Sequence, residues 1–367
     1  MANATNEKEK RRYFKWLRGA RGYSEKTIVA IERAIHQFEE STGFKDFKTF
    51  CERQATNFKK WLERSGHNGK MLSNTSKYHT LRHVNGFFSW LSTQPGYKSR
   101  INLDSVSYLT LDKRAVKDAL SVRPRRFPSL EQVLELVESI KIESDIDRRD
   151  QALISLLLLT GIRYRALCSL SMGCVDLDQL KINQDPRQGV QTKGGKPIIT
   201  RILPFNKKLV DIFVDWVKHL TKNLKFGPCD PLFPKTSVVQ SEDGFSFEVQ
   251  GVKAEFWAVG NSIRDILKRR SEDAGLPYFN PHSFRHAACQ LALRYSRTPE
   301  EFKALSQNFG HEAVTTTLRS YGTLDDQRVN DVLSGIDFSG ERTGNNKDFS
   351  IKDLEEFVRT KKKQLDK

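Results

Sequence analysis

A short basic segment with two prolines, Arg123 to Pro128, separates two parts of the chain that have different patterns. Proline fixes its own φ and disfavours helix in the preceding residue, so no regular element is expected to run through this segment. Before it, apolar residues recur every three or four positions, which indicates helices. After it, helical patterns alternate with short runs that are typical of strands. Because 367 residues also exceed one average domain, the sequence predicts two domains.

The first part is predicted to be a small bundle of four helices. Ser24 is a typical cap for one helix, which Gly43 ends. Three more apolar stripes lie near Tyr13, between Phe47 and Leu62, and between Asn74 and Leu91. Several basic residues would lie on outer faces of these helices, where they either form an ordinary solvated surface or contact DNA. They are Lys59, Lys60, Lys77 and Arg82.

The second part is predicted to be mostly helical with one small antiparallel sheet. Ser129 is a typical helix cap, and the apolar run from Ala152 to Thr160 indicates a buried helix. Gly194-Gly195 lies between two β-like runs, which predicts a tight hairpin. Residues 236–251 are expected to form a surface insertion. The chain as a whole is thus predicted to be mainly α with a small antiparallel β-sheet.

These patterns predict four segments. Residues 1–110 would form the helical domain, 111–128 a basic linker, 129–338 the second domain and 339–367 a flexible tail with a terminal helix. An isolated amphipathic helix in the tail would need a groove to stabilise it. That groove could lie on the same chain or on a neighbouring protomer.

The net charge of +16 and the pI of about 9.6 favour a polyanionic partner, although a basic but otherwise ordinary enzyme would have the same composition. The most apolar stretch is too short to cross a bilayer, and residues 1–10 are too polar for a signal peptide. The five cysteines are odd in number and lack metal-finger spacing, so reduced thiols are expected. We therefore expect a cytoplasmic protein without a membrane partner.

A histidine and an arginine stand three positions apart at the start of a later predicted helix, as His282 and Arg285. Asn280 and Pro281 are typical first residues of a helix, so both side chains would lie on one face of its first turn. A helix N-terminus favours a phosphate, and a guanidinium there can bind two phosphate oxygens. Arg163, directly after the buried helix, either caps that helix or joins Arg285 on the same phosphate. Two arginines would offset the charge that grows on the phosphate during transfer.

A longer pattern around these residues resembles the tyrosine recombinase (phage integrase) family. The similar segments are TGIRYRAL at Thr160 to Leu167, TKGGK at Thr192 to Lys196, HSFRH at His282 to His286, and GHEAVTTTLRSY at Gly310 to Tyr321. They follow the family's order, and the resemblance covers roughly residues 127–335. It implies a helical, SAM-like core-binding domain that binds DNA, followed in the chain by a mixed α+β catalytic domain.

The resemblance also implies a role for each matching residue. Arg163 and Arg285 would hold the scissile phosphate. Lys193 would be the general acid that protonates the leaving 5′-oxygen, with Lys196 as the alternative if the hairpin register differs. Guanidinium and ammonium groups would take the place of a metal, so neither a metal nor a cofactor is expected.

Tyr321 would be the nucleophile that forms a 3′-phosphotyrosine, with His282 and His311 as phosphate ligands and proton-handling partners. A tyrosine with a reference pKa of about 10 needs nearby positive charge to act at neutral pH. The sequence departs from the family at Ala166, where an acidic residue is usual, and this puts the support of the active site in doubt. His282 and His286 could alternatively bind zinc, but no third ligand lies close in sequence.

The resemblance implies that duplex DNA is the partner and that four protomers assemble on two DNA sites. Accessory DNA-bending proteins are conceivable partners, and a mobile-element recombinase is the favoured role. Further candidate DNA contacts are Arg123, Arg125, Arg126 and Lys196. Two other functions remain open: a non-catalytic DNA-binding protein with the same fold, and a type IB topoisomerase.

Overall fold

The computed structural model describes residues 3–64, 66–67, 70–121, 126–240, 247–257, 261–296, 298–311 and 334. The chain divides into two compact units, Met1–Arg123 and Pro124–Lys367. The finer boundaries predicted from the sequence stay predictions. The predicted tail, residues 339–367, lies outside the described residues.

The first unit is helical. Its elements are α1 (Ala4–Gly19), α2 (Glu25–Thr42), α3 (Glu52–Arg64), β1 (Gly66–His67), β2 (Lys70–Met71), α4 (Asn74–Leu91), α5 (Leu103–Ser107) and α6 (Lys113–Leu120). The Ser24 side chain accepts a hydrogen bond from the Thr27 N–H, and Gly43 ends α2 with a φ of 63°, which confirms both predicted ends. The stripe that begins at Phe47 is interrupted, because Phe47–Thr49 form a 3-10 turn before α3 starts.

Aromatic rings form the centre of the first unit. Phe88 stacks on Phe50 with ring centroids 4.0 Å apart and meets Phe38 and Phe47 edge-on. Offset and edge-on packing are the arrangements that aromatic pairs prefer. The apolar stripes of α1 to α4 therefore meet in one core, as the predicted bundle requires.

Part of the segment predicted as a linker is the helix α6. The Asn74 side chain donates to Asp118 Oδ2 at 2.7 Å, and the Thr75 hydroxyl donates to the Ala119 carbonyl at 3.2 Å. These contacts attach α6 to the start of α4. The N–H of Ala115 is capped by Asp112, a local signal that marks the beginning of α6.

The second unit combines helices with two small sheets. Its elements are α7 (Leu130–Ser139), α8 (Asp145–Thr160), α9 (Tyr164–Leu167), β3 (Val175–Asp176), β4 (Lys181–Gln184), β5 (Ile198–Arg201), α10 (Lys207–Lys222), β6 (Lys235–Gln240), β7 (Phe247–Lys253), α11 (Asn261–Asp273), α12 (Pro281–Tyr295) and α13 (Pro299–Asn308). Every residue from Ala152 to Thr160 is buried, so the predicted buried helix is confirmed. It packs against α7, α10 and α12 at the centre of the unit.

The predicted hairpin at Gly194-Gly195 is wrong. The strand β5 pairs with β4 in the antiparallel order β3-β4-β5, and Ile182 lies opposite Thr200. The 13 residues from 185 to 197 connect the two strands through two 3-10 turns. Within this connection the N–H groups of Gln188 and Val190 donate to the Asp185 carbonyl, a local turn that uses the backbone groups a strand would pair, and Val190 is buried with 2% of its surface exposed. Both glycines still adopt a positive φ, but within the turn at Lys193–Gly195.

The predicted surface insertion is an antiparallel ribbon formed by β6 and β7. Residues 241–246, which follow β6 and precede β7 in sequence, lie outside the described residues. The buried Arg149 donates to the Pro234 carbonyl and to the Thr236 hydroxyl, each at 3.0 Å, and so fixes the base of the ribbon to α8. Within the described residues, no helix is long and apolar enough to cross a membrane.

Candidate active site

Arg163 lies at a turn that the end of α8 creates. Gly161 ends α8 with a φ of 57°, and its N–H donates to the Leu157 carbonyl at 3.0 Å. A Cβ at Gly161 would lie 2.9 Å from a ring carbon of Phe309, so glycine is required by both conformation and space. The chain then turns into α9 with Arg163 as its N-cap residue, half-buried.

His282 and Arg285 lie on the first turns of α12. Asn280 Oδ1 accepts hydrogen bonds from the N–H groups of His282 and Ser283, and Pro281 is the first helical residue. The predicted start of this helix is therefore confirmed. His282 is exposed, whereas only 3% of Arg285 is exposed. The ring of His282 meets His286 edge-on with centroids 5.0 Å apart.

His311 is positioned by the end of α13. Gly310 has a φ of 64°, and its N–H donates to Gln307 while the His311 N–H donates to Ser306. These two bonds form a Schellman cap, which needs a left-handed residue at Gly310. A Cβ there would lie 2.7 Å from Ile198 Cδ1, the first residue of β5. The cap buries His311 to 9% exposure and holds it next to the sheet.

Arg285 joins these pieces. Its Nη1 donates to the Gly161 carbonyl and its Nη2 to the Phe309 carbonyl, both at 2.6 Å. Its Nη2 also lies 2.7 Å from His311 Nε2. Both carbonyls belong to helix C-terminal ends, which favour positive charge. The planar guanidinium thus connects the ends of α8 and α13 to α12.

The His311 imidazole is held in its neutral form. Burial, together with the charges of Arg285 and Arg163, lowers its pKa to about 3. Because arginine only donates, Nε2 of His311 must accept from Arg285 and the ring proton must lie on Nδ1. Arg285 binds the carbonyl of Gly161, two residues before Arg163, and the charge of Arg163 also lowers the pKa of His311. We refer to Arg163, Arg285 and His311 as the cationic cluster.

The other candidate catalytic residues lie outside this cluster or outside the described residues. Lys193 and the alternative Lys196 are exposed on the connection that leads into β5. Tyr321 lies outside the described residues, as do Arg123 and Arg125. The remaining candidate DNA contacts occupy helix surfaces or the start of the second unit. Lys59 and Lys77 are half-buried, and Lys60, Arg82 and Arg126 are exposed.

The thiol of Cys289 lies on α12 with Arg285 but is unsuited to be a nucleophile. Burial raises the pKa of Cys289 to about 12, although Arg285 and Arg163 act in the opposite direction. A thiol with such a pKa stays protonated and unreactive at neutral pH. All five cysteines are unpaired. No group of three histidine, cysteine or carboxylate side chains among the described residues could hold a metal ion.

Sequence reasoning missed the partners of Arg285. Two of them are backbone carbonyls, at Gly161 and Phe309, and a carbonyl leaves no residue-type signal in a sequence. It also missed Asn308, whose side chain binds the backbone of Arg201 in β5. Asn308 is the last residue of α13, and the sequence alone did not give the end of that helix, so it offered no signal for this contact.

Comparison with known proteins points to one family. The model of the phage integrase family matches residues 127–328, which is more than half of the 367-residue chain. A tyrosine recombinase XerC from Corynebacterium efficiens is 28% identical over 182 residues, which are 50% of this chain and 48% of that relative. A tyrosine recombinase XerC from Pseudomonas putida is 24% identical over 326 residues, 88% of this chain and 93% of that relative. The chain thus matches about half the length of the first relative and nearly all of the second.

Solved structures of lambda integrase share the fold. A dimer bound to a COC′ core site has a TM-score of 0.59 at 14% identity, covering 94% of this chain and 99% of that one. The same integrase as a tetramer bound to a Holliday junction has a TM-score of 0.57 at 14% identity, covering 85% of this chain and 79% of that one. The mainly helical fold with small antiparallel sheets is therefore confirmed.

Proposed function

Because the chain belongs to the phage integrase family of tyrosine recombinases, we propose that it is a site-specific recombinase that cuts and rejoins DNA through a 3′-phosphotyrosine on Tyr321. Membership supports the proposal of a tyrosine-type DNA strand-transferring enzyme. The observation that carries the mechanism is the cluster in which Arg285 bridges two helix ends beside His311 and Arg163.

The two arginines of the cluster would bind the scissile phosphate. A guanidinium offers donors in a fixed plane that matches two phosphate oxygens. The plane of Arg285 is already set by its carbonyl partners, so little reorganisation is needed as charge builds up on the phosphate. Arg163, which follows the end of α8, adds a second positive charge. Phosphoryl transfer depends mainly on such positioning and electrostatic stabilisation.

Tyr321 would attack the phosphorus, forming a bond from its phenolic oxygen and breaking the bond to the 5′-oxygen. The leaving 5′-oxygen takes a proton from Lys193, or from Lys196, and departs as a 5′-hydroxyl. His311 Nε2 accepts from Arg285, so we assign the phenol's proton to the exposed His282. A 5′-hydroxyl then attacks the phosphotyrosine, which restores the phosphodiester and the tyrosine. The phosphotyrosine conserves the bond energy, so no cofactor is required.

Duplex DNA is the proposed partner, and four protomers would assemble on two sites. The charge of +16 supplies the attraction to phosphates. The lambda integrase tetramer on a Holliday junction supports the assembly. We further propose a role in integration, excision or transposition of a mobile element. Accessory DNA-bending proteins would act on the DNA between the sites.

The test is a covalent adduct. The DNA site is first selected as the duplex that the protein retains from a library of random sequences. A nick placed beside the cleavage position in this duplex then traps the covalent protein–DNA intermediate. The wild-type protein should form an adduct that survives denaturing electrophoresis, and Tyr321→Phe should abolish it. Tyr295, 68% exposed on α12, provides the matched control, because Tyr295→Phe should leave the adduct unchanged.

Three outcomes would contradict the proposal. Retention of DNA without any adduct would indicate a non-catalytic binding protein. An adduct that persists in Tyr321→Phe would assign another nucleophile. Relaxation of supercoiled plasmid at any sequence, without exchange between sites, would indicate a topoisomerase of type IB.

A further inference from the structure

We propose that Asn308 is a positioning residue that holds β5, and with it the Lys193–Lys196 segment, against the turn that carries His311. The inference rests on the proposed function, since it concerns protonation of the leaving 5′-oxygen. Asn308 is the last residue of α13, binds Arg201 in β5 and precedes His311 by three residues.

The side chain of Asn308 pairs with β5 in the way that a neighbouring strand would. Its Oδ1 accepts from the Arg201 N–H at 2.7 Å, and its Nδ2 donates to the Arg201 carbonyl at 3.2 Å. In an antiparallel pair, two opposite residues exchange the same two bonds. Because β5 is the edge strand of β3-β4-β5, Asn308 occupies the edge that faces away from β4.

A second contact lies behind this pair. The Thr200 hydroxyl donates to the Asn308 carbonyl at 3.1 Å and accepts from the Gln184 side chain at 2.7 Å. Thr200 is 2% and Gln184 4% exposed, so both depend on these bonds. The contacts run without interruption from β4 through β5 to the end of α13.

The same helix end carries the cluster. Two residues after Asn308, Gly310 packs against Ile198, the first residue of β5. The next residue, His311, binds Arg285 through Nε2. Lys196 lies two residues before Ile198, and Lys193 lies five residues before it. The position of β5 therefore decides where these lysines lie relative to the proposed phosphate site at Arg285 and Arg163. Proton transfer needs hydrogen-bond distance, so a small shift of β5 would slow that step selectively.

A pair of substrates separates this role from a general structural one. In the first, the trapped site has its natural 5′-oxygen at the scissile phosphate. In the second, sulfur replaces that bridging oxygen. A thiol has a reference pKa of about 8.5, so a thiolate leaves without a proton from the enzyme.

Asn308→Leu removes both bonds to Arg201 at similar size. We expect it to form the adduct about ten-fold more slowly than wild type on the oxygen substrate and at nearly the wild-type rate on the sulfur substrate. Retention of DNA in a gel shift should be unchanged.

Three other variants provide the comparison. Lys193→Ala, or Lys196→Ala if that lysine is the acid, should show the same rescue by sulfur. Arg285→Ala should be slow on both substrates. Gln307→Leu, an exposed change on the same helix, is the matched control and should be slow on neither.

Equal slowing of Asn308→Leu on both substrates, or no slowing on either, would overturn the inference. If Asn308→Leu does not fold, as judged by its melting temperature, Asn308→Ala decides by the same comparison. Failure of the proposed function looks different, because the wild-type protein would then form no adduct with either substrate.

Discussion

At the scale of single residues, the cluster depends on how a buried cation is stabilised. Burial of a charge is costly unless the charge is paired and hydrogen-bonded. Arg285 receives this stabilisation from two helix-end carbonyls and from the imidazole of His311. Nearly all of its surface is buried, so the surrounding protein sets its orientation. His311 stays neutral because its burial, and then the positive charges of Arg285 and Arg163, lower the pKa of its imidazole.

The low pKa of His311 predicts a loss of stability in acid. Its pKa is about 3 in the folded protein, against a reference of about 6.5 in the unfolded chain. Below pH 6.5 the unfolded chain therefore binds a proton that the folded protein does not. The free energy of unfolding should fall by up to about 1.4 kcal/mol per pH unit from this group between pH 6.5 and 3.

Urea unfolding of the wild type and of His311→Gln, measured at several pH values from 5 to 8, tests this. The variant lacks the titrating group, so its stability relative to wild type should improve as the pH falls below 6.5. Above pH 7 the difference should be constant. A difference that does not change over the whole range would show that the imidazole titrates alike in both states.

At the scale of elements, two glycine caps bring helix ends together. Gly161 ends α8 and Gly310 follows the end of α13, each with a positive φ. The space that a Cβ would need is filled by Phe309 at the first and by Ile198 at the second. Each cap therefore permits both the turn and the close approach that place Arg163 and His311 on one cluster.

We predict that Gly310→Ala destabilises the protein through two separable effects. The positive φ alone costs an alanine about 1 kcal/mol. The new Cβ also meets Ile198 Cδ1 at 2.7 Å, and valine lacks that atom. Ile198→Val should therefore recover part of the loss, so that the double variant is more stable than the sum of the single changes by about 0.5 kcal/mol or more. Melting temperatures of the four proteins close the cycle. Strict additivity would mean that Ile198 moves away at no cost.

Local signals made the helix ends predictable. Ser24, Ser129 and the Asn280-Pro281 pair each satisfy N–H groups within the next three residues, so their effect is contained in a short stretch of sequence. The end of α8 at Gly161 follows from the same kind of signal. These ends were enough to place Arg163 and Arg285 next to helix termini.

The sheet and the contacts of the cluster were not predictable in this way. Val190 resembles a strand residue by its type, but it lies in the connection between the two strands, and β4 pairs with β5 instead. That choice depends on residues far apart in the chain, which no local pattern contains. The carbonyls that bind Arg285 and the pairing of Asn308 with Arg201 arise for the same reason, because separate elements meet there.

At the scale of the whole molecule, the proposed function requires two processes, binding to DNA and assembly on it, and the net charge of +16 favours the first. Charge acts mainly on binding, because lysine and arginine contacts to phosphates release counterions whatever the number of protomers. Assembly requires contacts that a single bound protomer does not make. A change that affects only assembly would therefore separate the two processes.

The C-terminal tail offers such a change. It lies outside the described residues, but its sequence places Ile351, Leu354, Phe357 and Val358 on one face of a predicted helix. An isolated helix of this length is marginal in water and needs a groove.

If the groove belongs to a neighbouring protomer, deletion of residues 345–367 should reduce the yield of multi-protomer complexes on DNA with two sites far more than it reduces binding to DNA with one site. Gel shifts with one-site and two-site DNA measure both quantities on the same protein. A matched variant with Leu354→Lys and Phe357→Lys keeps the length of the tail and should reproduce the deletion. Equal losses on both kinds of DNA would instead indicate that the helix packs on its own chain.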